Sequence, residues 1–190
     1  MAEKFQNKYR RQSTRLQNWD YARDAAYFIT ICTRDREHFF GKISEGKMRL
    51  SPTGVIADIM WYEIKHHAKN VEMGNFVVMP NHIHGIIILN GNNEHAVDDV
   101  AERHALPLHH DDQNKTIGQQ RFQNQGKNTL SSIVGSYKSA VTKHAHRLNY
   151  NFAWQSLFYD HVIRDERSFD TISGYIQNNV ENWKEDKFNS

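Results

Sequence analysis

The feature that most constrains the fold is an apolar stretch at residues 71–89, which Pro80 and Asn81 interrupt in its middle. Because proline cannot donate a hydrogen bond to a neighbouring strand, the stretch is expected to form two strands separated by a bend. His82 and His84 also interrupt it, so it lacks the pattern of a membrane-spanning segment. The chain begins with charged residues and glutamines instead of an apolar leader, and a cytoplasmic protein is therefore expected.

The other segments alternate between strand and helix patterns. Ser51 before Pro52 predicts the N-terminus of a helix whose core face is expected to hold five apolar residues. These residues are Val55, Ile56, Ile59, Met60 and Ile64. The other predicted elements are a strand at 26–33, a hairpin at 38–50, a helix at 130–148, a strand at 157–163 and a final helix from Ser168 to about Trp183. Single helices between strands indicate an α+β fold in which helices cover one sheet.

The chain suits one compact domain, since it has 190 residues and 38% hydrophobic content. We expect that domain at residues 26–183, preceded by a basic arm at 1–25 and followed by a C-terminal tail at 184–190. Residues 90–128 are polar and lack periodicity, which indicates an insertion or a long loop. Cys32 is the one cysteine, so a disulfide within the chain and a cysteine-cage zinc site are excluded.

Two basic segments stand out in a chain whose formal net charge is only +2. The first lies in the N-terminal arm and the second in the predicted helix at 130–148. A local excess of lysine and arginine is typical of a surface that binds a polyanion, although it also occurs on ordinary solvated surfaces. The residues assigned to DNA binding by their charge are Arg10, Arg11, Arg15 and Arg23 in the first segment and Lys138, Lys143 and Arg147 in the second.

His82 and His84 are two residues apart in a strand pattern, so both side chains leave the same face of the sheet. Ile83 between them points to the opposite face. Two neutral imidazoles side by side can bind one divalent cation. The alternative is a pair of half-exposed histidines without a ligand. The apolar surroundings favour the metal site, because two polar rings in such a strand need a partner.

The predicted final helix carries a second candidate group, since Tyr175 and Asn179 are one turn apart and share a face. A tyrosine hydroxyl, with a pKa of about 10, is a weak nucleophile, but a cation makes a phosphate more open to its attack. Two histidines and the Asn179 amide oxygen suit Mg²⁺ or Mn²⁺. Attack by Tyr175 would leave a covalent phosphotyrosine. The alternative is a tyrosine at the edge of the core whose hydroxyl lies in water.

Four segments together resemble a known family: VVMPNHIHGIIIL, SSIVGSYKSAVTK, WQSLFYDHVIRDE and GYIQNN. They are similar to the single-tyrosine transposases of the HUH nuclease superfamily, and most similar to the branch called REP-associated tyrosine transposases. The resemblance extends from about Asn18 to Trp183, apart from the insertion. One departure is Val180, where many members of this branch have proline, so the final helix is expected to continue to Trp183.

The resemblance implies a ferredoxin-like (RRM-like) antiparallel sheet with helices packed on it, which is the HUH nuclease core. It implies His82, His84 and Asn179 as metal ligands, and Tyr175 as the nucleophile that forms a 5′-phosphotyrosine. Family members cut and rejoin single-stranded DNA near a hairpin. The implied partner is therefore single-stranded DNA with a hairpin of the REP palindrome type, and the implied location is the nucleoid in the cytoplasm. Both a monomer and a homodimer stay open.

Three functions are open on this basis. The first is a metal-dependent single-stranded DNA endonuclease and strand transferase of the transposase kind. The second is a domesticated protein that binds a DNA or RNA hairpin without cutting it, since ferredoxin-like sheets often bind nucleic acid through exposed aromatic side chains. The third is a metal-dependent phosphoesterase in which Tyr175 is structural. The presence of all four candidate residues together favours the first.

Overall fold

The computed structural model describes residues 4–5, 8–9, 24–90 and 129–189. The strands are β1 (Lys4–Phe5), β2 (Lys8–Tyr9), β3 (Ala25–Cys32), β4 (Gly41–Ser44), β5 (Lys47–Leu50), β6 (Val71–Val78), β7 (His82–Leu89) and β8 (Tyr159–Ile163). The α-helices are α1 (Pro52–His67), α2 (Leu130–Arg147) and α3 (Glu166–Asn178). None of the helices in these described ranges is long and apolar enough to cross a membrane.

Four strands form the central sheet in the order β6-β7-β3-β8, and every neighbouring pair is antiparallel. Along the chain, these strands and the first two helices follow the order β3-α1-β6-β7-α2-β8, which is the ferredoxin-like arrangement. The strand pairs β1–β2 and β4–β5 form separate hairpins. The α+β class and the ferredoxin-like sheet expected from the sequence are therefore confirmed.

The apolar stretch at residues 71–89 forms the paired strands β6 and β7, with the expected bend between them. Two backbone hydrogen bonds fix this bend. The carbonyl oxygen of Pro80 accepts from the amide of Phe40 at 3.0 Å, and that of Asn81 accepts from the amide of Thr33 at 2.9 Å. Because the bend is held on both residues, the start of β7 is fixed relative to β3.

Side chains of the central sheet alternate between two faces. One face, called the core face here, is covered by α1 and α2 and contributes Ile29, Ile31 and other residues to the main hydrophobic core. The opposite face, called the α3 face, packs against α3 through a smaller cluster of Ile86, Ile163 and Ile176. The two layers of helices therefore lie on opposite sides of one sheet.

Helix α1 confirms part of the predicted core face, since Ile64 is buried and Ile56 and Met60 are half-buried against the main core. Val55 and Ile59 are exposed, whereas Ala57 and Trp61 are fully buried on the core face. The Trp61 ring fills the space beside Gly85, where a Cβ atom would lie 2.2 Å from the indole. The prediction was wrong at Val55 and Ile59 because it counted only aliphatic residues, whereas the large ring of Trp61 and its glycine partner help to set which face of the helix is buried.

Helix α3 begins and ends earlier than predicted. Its N-cap is Asp165 and not Ser168, since the Asp165 carboxylate accepts a hydrogen bond from the Ser168 amide at 2.8 Å. The helix ends at Asn178, with Asn179 as its C-cap, and does not continue to Trp183. The early end allows the chain that follows to turn back onto the α3 face.

Candidate functional site

His82 and His84 lie side by side on the α3 face at the start of β7. Their ring centroids are 4.4 Å apart, and the two side chains are 0% and 1% exposed. The strand alternation thus brings both imidazoles to one face, while Ile83 between them joins the main core on the other. The structure therefore has two closely spaced, fully desolvated imidazoles.

A hydrogen bond orients the ring of His82. Its Nδ1 lies 2.8 Å from Oδ1 of Asn81, an atom that can only accept, so Nδ1 carries the proton and donates. The amide group of Asn81 in turn donates to the carbonyl oxygen of Phe188 at 2.8 Å. The lone pair of His82 therefore lies on Nε2, which is buried and has no hydrogen-bond partner among the described residues.

His84 is held by neighbours on two sides. Its Nδ1 lies 2.8 Å from the hydroxyl oxygen of Thr30 on β3, and its Nε2 lies 3.2 Å from the hydroxyl oxygen of Tyr175 on α3. Metal-binding histidines commonly have one ring nitrogen fixed by such a partner, which orients the other nitrogen. The pair is thus positioned by strands β3 and β7 together with α3.

Both imidazoles are held in the neutral form. Burial, assisted by the nearby His84, lowers the pKa of His82 to about 2. Burial also lowers the pKa of His84 to about 4, although the carboxylate of Asp186 acts in the opposite direction. A neutral imidazole is the form that binds a metal ion, so the pair is ready to bind a cation at neutral pH.

Tyr175 projects from α3 beside His84 and is 42% exposed. Its hydroxyl also lies 3.4 Å from Oδ2 of Asp186. Burial raises the pKa of Tyr175, and the negative charge of Asp186 raises it further. The hydroxyl is therefore protonated at neutral pH in this arrangement, with a carboxylate oxygen within reach of its proton.

Asn179 is 2% exposed and lies in the same group of polar residues, one turn beyond Tyr175. Its side-chain amide donates to Oδ2 of Asp186 at 3.3 Å. Its Oδ1 is buried and, like Nε2 of His82, has no hydrogen-bond partner within the described ranges. Leaving such an atom unpaired costs about 1–3 kcal/mol, so these two atoms fit a site for a cation.

Asp186 is a site residue that the sequence did not predict. One ligand atom each of His82, His84 and Asp186 lies within 4.8 Å of the others, which makes the carboxylate a further candidate metal ligand. Asp186 belongs to the segment 184–190 that was set apart as a tail, and no periodicity or motif links it to the histidines. In the structure this segment returns to the α3 face directly after Asn179.

Phe188 of the same segment covers the imidazoles. It is buried, and its ring centroid lies 4.7 Å from that of His82 and 5.8 Å from that of His84. On another side, the ring of Trp183 lies 6.0 Å from His82. The histidine pair is therefore closed off by the C-terminal segment, and the open side of the site is the one where Tyr175 is exposed.

The basic residues assigned to DNA binding do not converge on this site. Lys138, Lys143 and Arg147 all belong to α2, which packs on the core face. The ammonium group of Lys138 donates to the carbonyl oxygens of Gln155 and Leu157 at 2.8 and 2.9 Å, which places it in the support of a loop. The arginines of the N-terminal arm, at positions 10, 11, 15 and 23, lie outside the described residues.

Comparison with known proteins places this geometry in context. No family profile matches the chain. An uncharacterized protein of Haemophilus influenzae is 35% identical over 180 residues, which are 94% of this chain and 93% of that protein. Among solved structures, a REP-associated tyrosine transposase bound to a REP hairpin matches with a TM-score of 0.54 and 17% identity, over 90% of this chain and 74% of that one. A candidate transposase of Deinococcus radiodurans matches with a TM-score of 0.40 and 14% identity, over 86% of this chain and 97% of that one.

Proposed function

We propose that this chain, which belongs to one family with the Haemophilus influenzae protein and has the fold of the REP-associated tyrosine transposase, is a single-stranded DNA endonuclease and strand transferase. The observation that carries the proposal is the 3.2 Å approach of the Tyr175 hydroxyl to Nε2 of His84, beside a second neutral imidazole. A tyrosine with only a structural role has no need of two desolvated histidines beside its hydroxyl.

His82, His84 and Asn179 are the proposed ligands of a divalent cation, Mg²⁺ or Mn²⁺, and Asp186 is a fourth candidate. Such a cation polarises the scissile phosphate and offsets the negative charge that gathers on its oxygens. The imidazoles and the carboxylate together favour Mn²⁺ at least as strongly as Mg²⁺. The contribution of the chain itself is to keep both imidazoles neutral and desolvated.

In the proposed reaction, the hydroxyl oxygen of Tyr175 attacks the phosphorus of a single-stranded DNA. A bond forms between tyrosine oxygen and phosphorus, and the bond from phosphorus to the 3′-oxygen breaks. The products are a 5′-phosphotyrosine and a 3′-oxygen, which takes a proton from water. The tyrosine proton passes to Asp186, whose Oδ2 lies 3.4 Å away. The reverse attack by a 3′-hydroxyl rejoins the strand without another energy source.

The proposed substrate is single-stranded DNA that carries a hairpin of the REP palindrome type. The REP-associated tyrosine transposase of similar fold was solved with a REP hairpin bound, which supports this choice. The exposed side of Tyr175 is the proposed approach of the strand, because the C-terminal segment covers the other sides of the imidazoles.

The test is covalent trapping. Hairpin oligonucleotides with single-stranded flanks, taken from palindromes near the gene, are incubated with the protein and Mg²⁺ or Mn²⁺, and adducts are scored on a denaturing gel. We expect Tyr175→Phe to lower adduct formation by roughly a thousandfold or more, with hairpin binding unchanged. Tyr62→Phe, at an exposed tyrosine on α1, is the matched control and should form adducts normally. Normal adduct formation by Tyr175→Phe would refute the assignment.

Metal binding has a readout that does not depend on cleavage. Calorimetric titration with Mn²⁺ should show binding to the parent protein and none to His82→Ala. Asn179→Ala and Asp186→Ala should each weaken binding, and the larger loss identifies the stronger third ligand. Unchanged Mn²⁺ affinity in His82→Ala would overturn the metal site.

A second candidate function is hairpin binding without cleavage. The observation in its favour is the cover over the imidazoles, since Phe188 lies against both rings and leaves them without solvent contact. This function predicts a protein that binds the hairpin oligonucleotides but yields no adduct with either metal. The same gel and a binding titration therefore separate the two functions.

A further inference from the structure

A cavity of about 390 Å³ adjoins the proposed active site on the α3 face, and no step of the proposed reaction uses it. Its floor is formed by Phe28 of β3, and one wall is formed by Tyr159 and His161 of β8. Lys187 and Phe188 of the C-terminal segment form the other wall. The volume is in the range of about 300–1,000 Å³ that is usual for small-ligand sites.

The register of the sheet aligns this cavity with the histidine pair. Thr30 lies opposite His84 on one side and opposite Tyr159 on the other, so one row of side chains crosses three strands on the same face. In the next row, Phe28 lies opposite His161. Since β8 is the edge strand, Tyr159 remains 44% exposed. The row therefore runs from the buried imidazole to an open aromatic side chain.

Phe28 contributes both to the proposed active site and to the cavity. Its ring centroid lies 5.1 Å from that of His84 and 6.2 Å from that of Tyr175, and the same ring forms the floor of the cavity. A group seated in the cavity therefore contacts the same phenyl ring that packs against His84 and Tyr175.

The chemistry of the walls matches an unpaired nucleotide. Aromatic side chains stack on bases irrespective of sequence, and a nearby ammonium group pairs with the backbone phosphate. Phe28 and Tyr159 provide the aromatic surfaces, and the exposed Lys187 provides the positive charge. Asp160 also lines the cavity, but it lies opposite Ile29 in the strand register, so its side chain points to the core face and not toward Tyr159 and His161. The imidazole of His161 adds a hydrogen-bonding group at the edge.

We propose that this cavity binds one unpaired nucleotide next to the scissile phosphate, with its base against Phe28 and Tyr159 and a backbone phosphate near Lys187. The proposal rests on the proposed nuclease function, because it names the part of the substrate that positions the phosphate for Tyr175. Stacking selects an unpaired base and not a particular sequence, so the cavity distinguishes single-stranded from paired DNA beside the cut.

The test measures binding without cleavage. Tyr175→Phe protein is titrated, in the presence of a chelator, into a fluorescein-labelled ten-nucleotide oligothymidylate, and anisotropy is recorded. Adding Tyr159→Ala should weaken binding by roughly 5- to 150-fold, the effect of losing one stacked base. Tyr159→Phe keeps the ring and should bind within about twofold of the parent. Tyr62→Ala, at an exposed tyrosine that contacts Phe76 on the opposite edge strand, is the matched control and should change nothing.

Two further measurements separate base stacking from charge. An oligomer of abasic units should bind the parent and Tyr159→Ala equally well, because it has no base to stack. Lys187→Ala should reduce the slope of log affinity against log salt by about 0.7, the value for one phosphate contact on a single strand. Equal weakening of oligothymidylate and abasic oligomer by Tyr159→Ala would overturn the nucleotide site, and so would equal weakening by Tyr62→Ala.

The outcomes also separate this site from the proposed reaction. If the parent protein forms covalent adducts and Tyr159→Ala does not weaken oligothymidylate binding, the nucleotide site alone is refuted. A protein that loses binding with Tyr159→Ala but forms no adduct through Tyr175 refutes the nuclease alone, and then the cavity serves single-strand binding.

Discussion

The two faces of the central sheet are both covered by helices, but they bury different chemistry. The core face packs Ile29, Ile31 and Ile83 against the aromatic and aliphatic side chains of α1 and α2. The α3 face buries His82 and His84 together with the amide of Asn179. Successive residues of a single strand, β7, therefore contribute alternately to the two environments.

The core face stabilises the fold, and the α3 face carries the polar groups of the candidate site. Burial of apolar surface on the core face stabilises the fold by about 25 cal/mol per Å² and depends little on direction. Burial of polar side chains on the α3 face costs free energy, because Nε2 of His82 and Oδ1 of Asn179 have no hydrogen-bond partner within the described residues. A face that loses stability through unpaired polar atoms is the one expected to gain from a bound ligand.

The largest expected effect comes from Trp61, which ties α1 to the core face. Its ring is stacked on Phe76 at 5.2 Å and lies edge-on to Tyr137 at 5.5 Å. Trp61→Ala should lower the free energy of unfolding by about 3–5 kcal/mol, measured by urea denaturation. Trp61→Phe keeps an aromatic ring and removes a buried N–H that has no hydrogen-bond partner among the described residues, but it leaves space beside Gly85, so its cost should be about half that of Trp61→Ala. Equal costs for the two variants would show that packing at this position is not what stabilises the core face.

Lowering the pH should have a smaller effect on the free energy of unfolding, and this effect should come from the histidines of the α3 face. The folded-state pKa values of about 2 for His82 and about 4 for His84 lie below the ordinary value of 6.5. As pH falls through 6.5, the unfolded chain takes up protons that the folded chain cannot. The stability present above pH 6.5 should therefore decrease by about 1.4 kcal/mol per histidine between pH 7.5 and 5.5. The loss should continue until the folded chain also takes up the proton, near pH 4 for His84.

Urea denaturation at pH 7.5, 6.5 and 5.5 in the presence of a chelator checks this expectation. His84→Gln removes one of the two groups and should reduce the slope of stability against pH by about half. A slope that is the same in this variant and in the parent protein would show that the α3 face does not hold its imidazoles neutral.

The smallest effect on the free energy of unfolding is expected when one tyrosine from each face is replaced by phenylalanine. The hydroxyl of Tyr137 donates to the carbonyl oxygen of Ala57 at 2.8 Å inside the core, so Tyr137→Phe should cost about 1 kcal/mol and leave adduct formation intact. Tyr175→Phe should leave the free energy of unfolding nearly unchanged and remove adduct formation. The same substitution thus has opposite results on the two faces. Loss of adducts with both variants would mean that the faces are not functionally separate.

Much of the fold was predictable because its signals are local. The break at Pro80 and Asn81 predicted the two strands, and the strand period predicted that His82 and His84 share a face. The core face of α1 was predicted only in part, since the space beside Gly85 that accepts Trp61 is formed only when helix and sheet meet. The early end of α3 was also missed, because Val180 and Trp183 continue the apolar period of the helix beyond the actual end at Asn178 and Asn179.

The candidate site was predictable only in part for the same reason. Tyr175 and Asn179 share a helix face by spacing alone, and that spacing is visible in the sequence. Asp186 follows the helix end without any periodic relation to them, yet it contacts both side chains. The cavity lined by Tyr159 and Lys187 joins an edge strand to the C-terminal segment, and no motif links those two positions.

The sequence by itself determined the periods of the strands and helices, and with them the direction in which each candidate side chain points. Those periods are properties of the local backbone and need no distant partner. Only the tertiary structure decided that β7, α3 and the C-terminal segment meet at one place. Desolvation of His82 and His84, which keeps their imidazoles neutral, depends on all the groups packed around them. The spacing of residues in the sequence cannot predict this desolvation, because it adds contributions from distant parts of the chain.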